Sequence, residues 1–296
     1  MRLMITGSSG MVGMTLWGLA HQAGHQVVRL VRRAPRSEEE RGWDPAHGDL
    51  SVDAFDGIDA VVHLAGDNIG SGRWTASKKQ RIRESRVQGT QLLAERLAQT
   101  KHKPALICAS AIGYYGDRGD EVLNEGSGPG ADFLASVCQD WERAADPARA
   151  AGVRVVHNRL GIVLNAQGGA LASMLLPFRL GVGGVMGSGD QYWSWISLED
   201  AARVFLETAT NDDWEGIVNV VAPRAVTNRE FTKALGAALH RPTIFPMPAF
   251  AARLVLGEMA DALILASTRV QPDVLLKQEF DYRHPELPEA LTAALA

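Results

Sequence analysis

The first 33 residues constrain the fold of this chain more than any other stretch. An apolar run, Arg2–Ile5, leads directly into Thr6–Gly13, which carries three glycines at GxxGxxG spacing. Apolar residues then recur at helical spacing as far as Gly24, and a second apolar run, Val27–Val31, follows. The order strand, glycine turn, helix, strand is typical of the first unit of a dinucleotide-binding fold.

Each glycine of the turn is favoured at its position for a different physical reason. Gly7 lets the chain turn tightly after the strand, Gly10 lets backbone N–H groups approach a pyrophosphate, and Gly13 permits close helix–strand packing. The helix N-terminus offers unpaired donors and a partial positive charge to phosphates. A purely structural glycine-rich turn is the alternative. We predict dinucleotide contacts at Gly7, Ser9, Gly10, Met11 and Val12.

The tip of the second apolar run indicates which dinucleotide would bind. An NAD-binding unit usually has an Asp or Glu there, which accepts hydrogen bonds from the ribose hydroxyls. This chain has Arg32 and Arg33, and an arginine suits a 2′-phosphate through charge-assisted, often bidentate hydrogen bonds. We therefore predict NADP(H) rather than NAD(H). The alternative is a solvated pair of charges at a strand end.

Strands and helices alternate along the chain as far as Leu164. Apolar runs at Ile58–Gly66, Ala105–Ser110 and Val153–Leu164 predict further strands, and the stretches between them have helical periodicity, including one helix predicted over Asp132–Ala151. This alternation predicts an α/β fold of the Rossmann type, with a doubly wound parallel sheet of about seven strands.

The chain changes character after its last predicted strand, Ile217–Val221. Ala222–Pro223 marks a boundary, and the remainder is helical and punctuated by prolines. We therefore divide the chain into residues 1–222, an NADP(H)-binding domain, and residues 223–296, a small C-terminal lobe. The ligand site is expected in the cleft between them, closed by the lobe.

Further cofactor contacts are expected at the carboxyl ends of the predicted strands, because ligands of such sheets lie beyond those ends. Leu64 and Ala65 follow one strand, and Arg159 ends another. Arg86, on a predicted helix, would reach the cofactor phosphates. As a surface arginine, it would need no functional explanation.

For two aromatic residues in the first half of the chain, packing in the core is the alternative to a functional role. Trp43, with Asp44, is predicted to end a third strand near the adenine pocket, although packing in the core explains it almost as well. His63 lies inside the apolar run before Leu64. We expect it to be a core residue with a satisfied hydrogen bond rather than a catalyst.

Composition narrows the choice of partners. The formal net charge is −4 and no basic stripe with interleaved aromatic residues occurs, so we expect no nucleic acid. Cys108 and Cys138 lack the spacing of a disulfide framework or a metal site. No apolar run approaches the roughly 20 residues of a membrane span, and Met1 leads into a strand rather than a signal peptide. We expect a cytoplasmic protein with a small-molecule substrate.

The segment Gln191–Ile196 places three aromatic rings in six residues. Aromatic-rich loops beside a cofactor often shape a substrate pocket, and core packing is the alternative. A loop before a predicted helix also presents a tryptophan beside an arginine. The candidate pocket residues are Arg73, Trp74, Gln191, Trp193 and Trp195.

With these residues in view, the chain resembles the extended short-chain dehydrogenase/reductases, and more closely the atypical YfcH-like subfamily, often labelled epimerase family proteins. The resemblance covers nearly the whole chain. It implies NADP(H) binding and an oxidoreductase or epimerase role whose substrate the family label does not fix. The matching stretches include Thr6–Gly13, His63–Gly66, Ser110–Gly116, Arg159–Leu164 and Gln191–Ile196.

One departure from that family concerns the catalytic residues. Its enzymes carry a Tyr-x-x-x-Lys pair, in which the tyrosine is the general acid/base, and a Ser or Thr at the end of the preceding strand. Here Phe133 and Val137 stand at the spacing of that pair. A phenyl ring has no proton to transfer and valine carries no charge. The Ser position falls near Ala111, with Ser110 beside it.

Three outcomes fit this departure. Other groups could supply the acid/base chemistry: Tyr114 or Tyr115, Lys78 or Lys79 from the facing helix, or Glu125 if burial raises its pKa. Alternatively, the protein binds NADPH without turnover, as a sensor or partner-binding module. The third outcome is a non-redox use of a retained cofactor. The leading function is an NADP(H)-dependent oxidoreductase or epimerase-like enzyme that acts on a small polar, sugar-like molecule.

Overall fold

Seven parallel strands form the central sheet of the computed structural model, which describes residues 1–296. The strands of the chain are β1 (Arg2–Thr6), β2 (Gln26–Val31), β3 (Glu40–Gly42), β4 (Ala60–His63), β5 (Ala105–Ala111), β6 (Val122–Leu123), β7 (Val155–Leu160), β8 (Ile162–Leu164), β9 (Tyr192–Trp193), β10 (Trp195–Ser197), β11 (Gly216–Val220), β12 (Val226–Thr227) and β13 (Arg269–Val270). The sheet order is β11-β7-β5-β4-β1-β2-β3. The predicted doubly wound parallel sheet is confirmed, with its switch point between β1 and β4.

Helices cover both faces of this sheet. They are α1 (Met11–Gln22), α2 (Ala76–Gln99), α3 (Phe133–Arg143), α4 (Asp146–Ala150), α5 (Gly169–Arg179), α6 (Leu198–Thr210), α7 (Asn228–Ala238), α8 (Ala249–Leu256), α9 (Glu258–Ala260), α10 (Asp273–Lys277) and α11 (Leu287–Leu295). Single turns of 3₁₀-helix at Val52–Phe55 and Ile112–Tyr114 and a π-helical turn at Asp261–Leu265 complete the set. None of the helices combines the length and apolar character that crossing a bilayer requires.

The two faces of the sheet bury alternate residues of the same strands, as the period of two requires. On one face, Leu3 and Ile5 of β1 pack with α1 and α6. On the other face, Met4 packs with Leu93 and Leu97 of α2. Both layers are apolar, because a parallel sheet between helices has no solvent side.

Two predicted elements are interrupted in the structure. The helix predicted over Asp132–Ala151 is two helices, α3 and α4, separated at Ala144–Ala145, with Pro147 in the first turn of the second. The strand predicted over Val153–Leu164 is β7 and β8, and Gly161 separates them. A Cβ on Gly161 would lie 2.7 Å from the carbonyl oxygen of Ser194. This close approach directs β8 out of the central sheet to pair with β10.

The placement of Trp43 agrees with the core alternative. Strand β3 ends one residue earlier, at Gly42. The Trp43 side chain is buried, and its ring meets His63 edge-on at 6.0 Å between centroids. His63 is fully buried as predicted for a core residue, and burial lowers its pKa to about 3.

The C-terminal segments pack on the end of the sheet where the strands finish. One apolar cluster combines Trp193 and Trp195 with Phe231 of α7 and Leu291 of α11. Asp200, at the start of α6, is fully buried and accepts hydrogen bonds from two backbone N–H groups of residues 283 and 284. These contacts anchor the end of the chain. The division at residue 222 stays a prediction.

Two glycines of α1 provide a matched test of the turn. A Cβ on Gly13 would lie 2.4 Å from the Gly7 carbonyl oxygen, whereas a Cβ on Gly18 meets nothing within 4 Å. We expect Gly13→Ala to lower the free energy of unfolding by about 1–3 kcal/mol through overpacking. Gly18→Ala should raise it by about 0.5–1 kcal/mol, because alanine favours the helix. Urea unfolding measures both, and equal effects would contradict the packing explanation.

Candidate dinucleotide site

The glycine turn between β1 and α1 is built by contacts between backbone atoms. Gly7 has a φ of +65°, and a Cβ there would lie 2.8 Å from the Leu64 carbonyl group. Gly10 is the N-cap of α1 and supplies no side chain to cap it. The first N–H groups of α1, at Met11 and Val12, therefore lack helical partners and face the turn. This is a cradle that side chains would fill, and it fits a pyrophosphate.

The exit of β4 is fixed to this turn by one hydroxyl group. Thr6 Oγ1 accepts hydrogen bonds from the N–H groups of Leu64, at 3.1 Å, and Ala65, at 3.2 Å. The same oxygen lies 2.7 Å from His63 Nδ1. Leu64 and Ala65 are half-buried beside the turn, so the structure brings these predicted contacts together with Gly7.

The two arginines at the end of β2 have different environments. Arg33 donates bidentate hydrogen bonds to Glu40 of β3, at 2.7 and 2.6 Å, and Arg29 adds an ion pair at 2.9 Å. The hydrogen bonds from Arg33 lower the pKa of Glu40 to about 2. Arg33 is thus already paired, which the sequence reasoning missed. Arg32 is exposed and forms no ion pair, so it alone is free to meet a phosphate.

Arg86 of α2 is a half-buried cation at the exit of β4. Its Nη1 donates to the carbonyl oxygen of Ile82 at 3.0 Å, and its guanidinium lies 5.1 Å from the centroid of the Trp141 ring. A Cβ on Gly66 would lie 3.3 Å from the guanidinium carbon. Burial lowers the pKa of Arg86, and no carboxylate forms an ion pair with it. A desolvated cation of this kind is a candidate partner for a phosphate.

The first turn of α3 begins at Phe133, the residue that stands at the spacing of the family's tyrosine. Phe133 is half-buried, and its ring contacts Trp74 edge-on at 5.4 Å between centroids. Lys79 Nζ lies 5.0 Å from the Phe133 centroid. Val137 is buried in the core. Phe133 is therefore surrounded by an aromatic ring and an ammonium group rather than by a tyrosine–lysine pair.

A buried ion pair involves the opposite end of α3. Arg159 of β7 donates to both carboxylate oxygens of Glu142 of α3, at 2.8 and 2.7 Å. Although burial acts to lower it, the hydrogen bonds and charge of Glu142 raise the pKa of Arg159. Ser110 donates to Glu142 Oε1 at 2.7 Å. Arg159 and Ser110 are thus committed to the interior, and this placement opposes the predicted cofactor and catalytic roles.

The two tyrosines after β5 have opposite placements. Tyr115 is fully buried; its hydroxyl donates to Asn219 Oδ1 at 2.8 Å and accepts from Arg159 at 3.0 Å. Burial raises the pKa of the Tyr115 phenol, and Arg159 opposes that rise. Its interior position opposes an acid/base role. Tyr114 is half-buried and lies flat on Arg159, 3.4 Å from guanidinium carbon to ring centroid.

Glu125 joins the hydrogen bonds of Tyr115 through their shared partner Asn219. Its Oε1 accepts hydrogen bonds from the backbone N–H groups of Asn219, at 3.0 Å, and Val274, at 3.3 Å, while Oε2 is buried without a partner. Burial raises the pKa of Glu125. The carboxyl group therefore has the raised pKa that an acid/base role needs, but it is enclosed behind Asn219.

Two lysines at the start of α2 hold different segments. Lys78 is buried and donates to Asp67, at 2.7 Å, to the Asn68 carbonyl group, at 2.6 Å, and to Ser71, at 2.8 Å. It therefore fixes the loop between β4 and α2. Lys79 forms an ion pair with Glu258 of the C-terminal region at 2.5 Å.

The same loop contacts the C-terminal region a second time. Arg73 is exposed and donates to the carbonyl oxygen of Leu254 of α8 at 3.0 Å. Trp74 donates its indole N–H to Ile69 at 2.8 Å and contacts Phe133. The predicted pocket residues Arg73 and Trp74 thus lie beside Phe133, at a point where the two parts of the chain meet.

The aromatic segment Gln191–Ile196 forms core rather than an open pocket. Trp195 is 1 % exposed and Trp193 is 3 % exposed, with its indole N–H donating to Ile264 at 3.2 Å. Gln191 is buried and donates to the carbonyl groups of Met186 and Ile264. The alternative of core packing therefore explains all three side chains. Strand pairing of β10 with β8 and of β9 with β12 turns them inward.

Sequence reasoning missed Glu142, the carboxylate that organises the buried network. A signal was present, because Glu142 continues the i, i+4 series Leu134, Cys138 on the buried face of α3. A carboxylate on an apolar helix face indicates a buried cation opposite. Glu40 had no comparable signal, since it lies in a polar stretch.

Two family models match the chain. The model described as the NAD dependent epimerase/dehydratase family matches residues 3–221, and one described as a domain of unknown function, DUF1731, matches residues 247–294. The chain belongs to the NAD-dependent epimerase/dehydratase family. The resemblance to extended short-chain dehydrogenase/reductases is thereby confirmed.

Relatives in bacteria and mammals match over the full length. The epimerase family protein ML0860 of Mycobacterium leprae is 43% identical over 290 residues, covering 98% of this chain and 94% of the relative. The epimerase family protein SDR39U1 of Homo sapiens is 35% identical over 303 residues, covering 100% of both.

Two solved structures extend these similarities. The crystal structure of human SDR39U1 with NADPH has a TM-score of 0.89 at 33% identity and 99% coverage of both chains. The structure of a nucleoside-diphosphate sugar epimerase from Corynebacterium glutamicum has a TM-score of 0.81 at 37% identity, and it covers 99% of this chain and 58% of that one.

The buried ion pair allows a direct test of its structural role. We expect Glu142→Gln to lower the free energy of unfolding by about 3–5 kcal/mol, because Arg159 would keep its charge in the interior without a partner. The exposed pair of Glu121 with Arg118 is a matched control, and Glu121→Gln should cost less than about 1 kcal/mol. Similar losses in urea unfolding would mean that Arg159 is solvated when unpaired.

Proposed function

We propose that the chain binds NADP(H) and acts as an oxidoreductase or epimerase-like enzyme on a small polar molecule of the sugar class. The observation that carries the proposal is the cradle at Gly7 and Gly10, where backbone atoms occupy the space of side chains and the first N–H groups of α1 are left without partners. The NADPH in the structure of the human relative supports the cofactor. The name of the Corynebacterium relative, a nucleoside-diphosphate sugar epimerase, supports a substrate of the sugar class.

Residues of this chain are assigned to the parts of the cofactor by their position in the sheet. The N–H groups from Ser9 to Val12 would hold the pyrophosphate, and Leu64 and Ala65 would border the dinucleotide at the switch point. Arg32 would pair with the 2′-phosphate, and Arg86 with phosphate oxygen. When bound, the nicotinamide would supply or accept a hydride.

Tyr114 is the proposed proton donor to the substrate. It is the half-exposed phenol nearest in sequence to the first turn of α3, and its neighbour Gly113 lies against Leu134 of that turn. Its ring also contacts the buried guanidinium of Arg159, which fixes the orientation of the phenol. Lys79 is the alternative donor, but its ion pair with Glu258 must open first.

We further propose that the C-terminal lobe closes the cleft. Arg73 and Lys79 reach across to Leu254 and Glu258 from the loop and helix that follow β4. Both contacts are solvent-exposed and therefore weak individually. They hold the lobe over Phe133 while still allowing it to open.

A non-catalytic NADPH-binding role is the second candidate. Phe133 and Val137 occupy the positions of the usual acid/base pair, while Ser110 and Tyr115 are committed to the interior. A sensor would need the cradle and no proton donor. Firm NADPH binding without oxidation of the cofactor by any sugar or carbonyl compound in a broad panel would favour this role.

The free arginine at the tip of β2 provides a test of cofactor choice. We expect Arg32→Ala to weaken NADPH binding about 10- to 100-fold, the loss of one charge-assisted contact, and to leave NADH binding unchanged. Arg33→Ala should weaken NADPH binding less, because Arg33 is already paired with Glu40. Calorimetry measures both. An equal loss for NADPH and NADH in Arg32→Ala would contradict the assignment.

Two substitutions test whether Tyr114, rather than a tyrosine at position 133, can serve as the proton donor. We expect Tyr114→Phe to lower kcat about 100-fold or more with little change in NADPH affinity, because a general acid is lost. Phe133→Tyr should raise activity less than about tenfold, since no lysine stands at residue 137. Steady-state kinetics on any substrate found in the panel measures both. A large gain from Phe133→Tyr would show that the site is organised in the usual way.

A further inference from the structure

His63 and Thr6 lie side by side at the ends of β4 and β1. The two residues are register partners in neighbouring parallel strands, so their side chains project from the same face of the sheet. Both side chains are fully buried, and His63 Nδ1 lies 2.7 Å from Thr6 Oγ1. A polar side chain in such an interior needs an explanation beyond the volume that it fills.

The other contacts of the Thr6 hydroxyl decide the direction of this hydrogen bond. A hydroxyl group has one hydrogen to donate and two lone pairs that accept. The backbone N–H groups of Leu64 and Ala65 donate to those lone pairs, which leaves the hydroxyl hydrogen to donate to His63. His63 Nδ1 is therefore the acceptor, and the neutral ring carries its proton on Nε2.

The second ring nitrogen of His63 has no partner. Nε2 is buried without a hydrogen bond, next to Gly89 of α2, where an added Cβ would lie 3.5 Å from it. The Trp43 ring, which meets the imidazole edge-on, has an indole N–H that can only donate. An unpaired buried donor opposes folding, and a leucine of similar volume would avoid that cost. Packing alone therefore does not account for an imidazole here, whereas an acceptor at Nδ1 does.

His63 keeps this acceptor because its ring stays neutral. Burial, together with the nearby charge of Arg86, lowers the pKa of His63 to about 3. No carboxylate is among the groups that shift this pKa. A protonated ring would direct an N–H group at the Thr6 hydroxyl and reverse the hydrogen bond.

The Thr6 hydroxyl transmits this orientation to the dinucleotide cradle. It holds Leu64 and Ala65 against Gly7, where an added Cβ would lie 2.8 Å from the Leu64 carbonyl carbon and 2.9 Å from the Ala65 nitrogen. Without an acceptor at residue 63, the hydroxyl hydrogen has no partner. The hydroxyl then rotates towards another acceptor at the expense of its bonds to the two N–H groups, and the exit of β4 loses its fixed position.

We propose that His63 is a positioning residue for the bound dinucleotide: as the acceptor for the Thr6 hydroxyl, it fixes the exit of β4 at the glycine turn. The inference rests on the proposed binding of NADP(H). Leu64 and Ala65 border the dinucleotide at the switch point, a part of the site that NADPH and NADH share. His63 therefore sets the affinity for both cofactors, whereas Arg32 sets the preference between them.

Two substitutions of His63, measured by calorimetry with NADPH and with NADH, test the proposal. We expect His63→Leu, which has no acceptor, to weaken the binding of both cofactors about tenfold, the value of one oriented hydrogen bond. His63→Asn should stay within about threefold of the wild type, because its amide oxygen branches from Cγ as Nδ1 does. His157→Leu is the matched control: His157 is buried on β7 and lies beside Arg149 rather than the turn, so both affinities should be unchanged.

A double-mutant cycle shows whether His63 acts through Thr6. Thr6→Val should also weaken both cofactors, and adding His63→Leu to it should cost no further affinity, because no hydroxyl is left to orient. Unchanged affinities in His63→Leu, or full additivity of the two losses, would contradict the inference and leave the proposed function intact. A wild type that binds neither cofactor would contradict both.

Nitrogen NMR of the imidazole rings provides a measurement on the wild type that does not depend on how the variants fold. It distinguishes the protonated ring nitrogen from the bare one, and the signals absent from His63→Asn identify the residue. We expect His63 at neutral pH to carry its proton on Nε2, with Nδ1 unprotonated. A proton on Nδ1 would mean that the ring donates to Thr6 instead of accepting from it, and the orienting role would be refuted.

Discussion

The close approach of three backbone segments at the glycine turn is the constraint on which the rest of the structure depends. Gly7 lies against the carbonyl group of Leu64, and Gly13 lies against that of Gly7. The Thr6 hydroxyl then fixes the exit of β4 to the same point. Because β1 and β4 border the switch point, these contacts set the position of α1 relative to the sheet. The cradle for a dinucleotide follows directly from that position.

A second constraint is the buried ion pair of Arg159 with Glu142, which fills the interior beneath α3 with charge. Its hydrogen bonds extend to Ser110 and, through Tyr115, to Asn219. Ser110 and Tyr115 are candidates that the sequence patterns offer as catalysts, and both hydrogen-bond within this buried network instead. The chain thus keeps the glycine turn for a cofactor, and the proposed enzyme function would have to rely on the half-exposed Tyr114 as proton donor.

The sheet and the glycine turn could be predicted from sequence because both follow from local patterns: apolar runs of strand length, glycine spacing and helical periodicity. The roles of individual charged and aromatic residues could not, because they depend on partners distant in sequence. Arg33 meets Glu40 after the chain has returned to the sheet, and Arg159 meets Glu142 across two layers. Trp193 and Trp195 are core residues because the lobe packs on them. Their spacing alone is equally compatible with a pocket.

The affinity of the wild-type chain for NADPH and NADH, measured side by side by calorimetry, tests the central claim most directly. The account predicts that NADPH binds at least tenfold more tightly, because the free cation at Arg32 has a phosphate to meet only in that cofactor. Equal affinities would contradict the role of the β2 tip. Binding of neither would contradict the cradle itself and leave the glycine turn with a purely structural explanation.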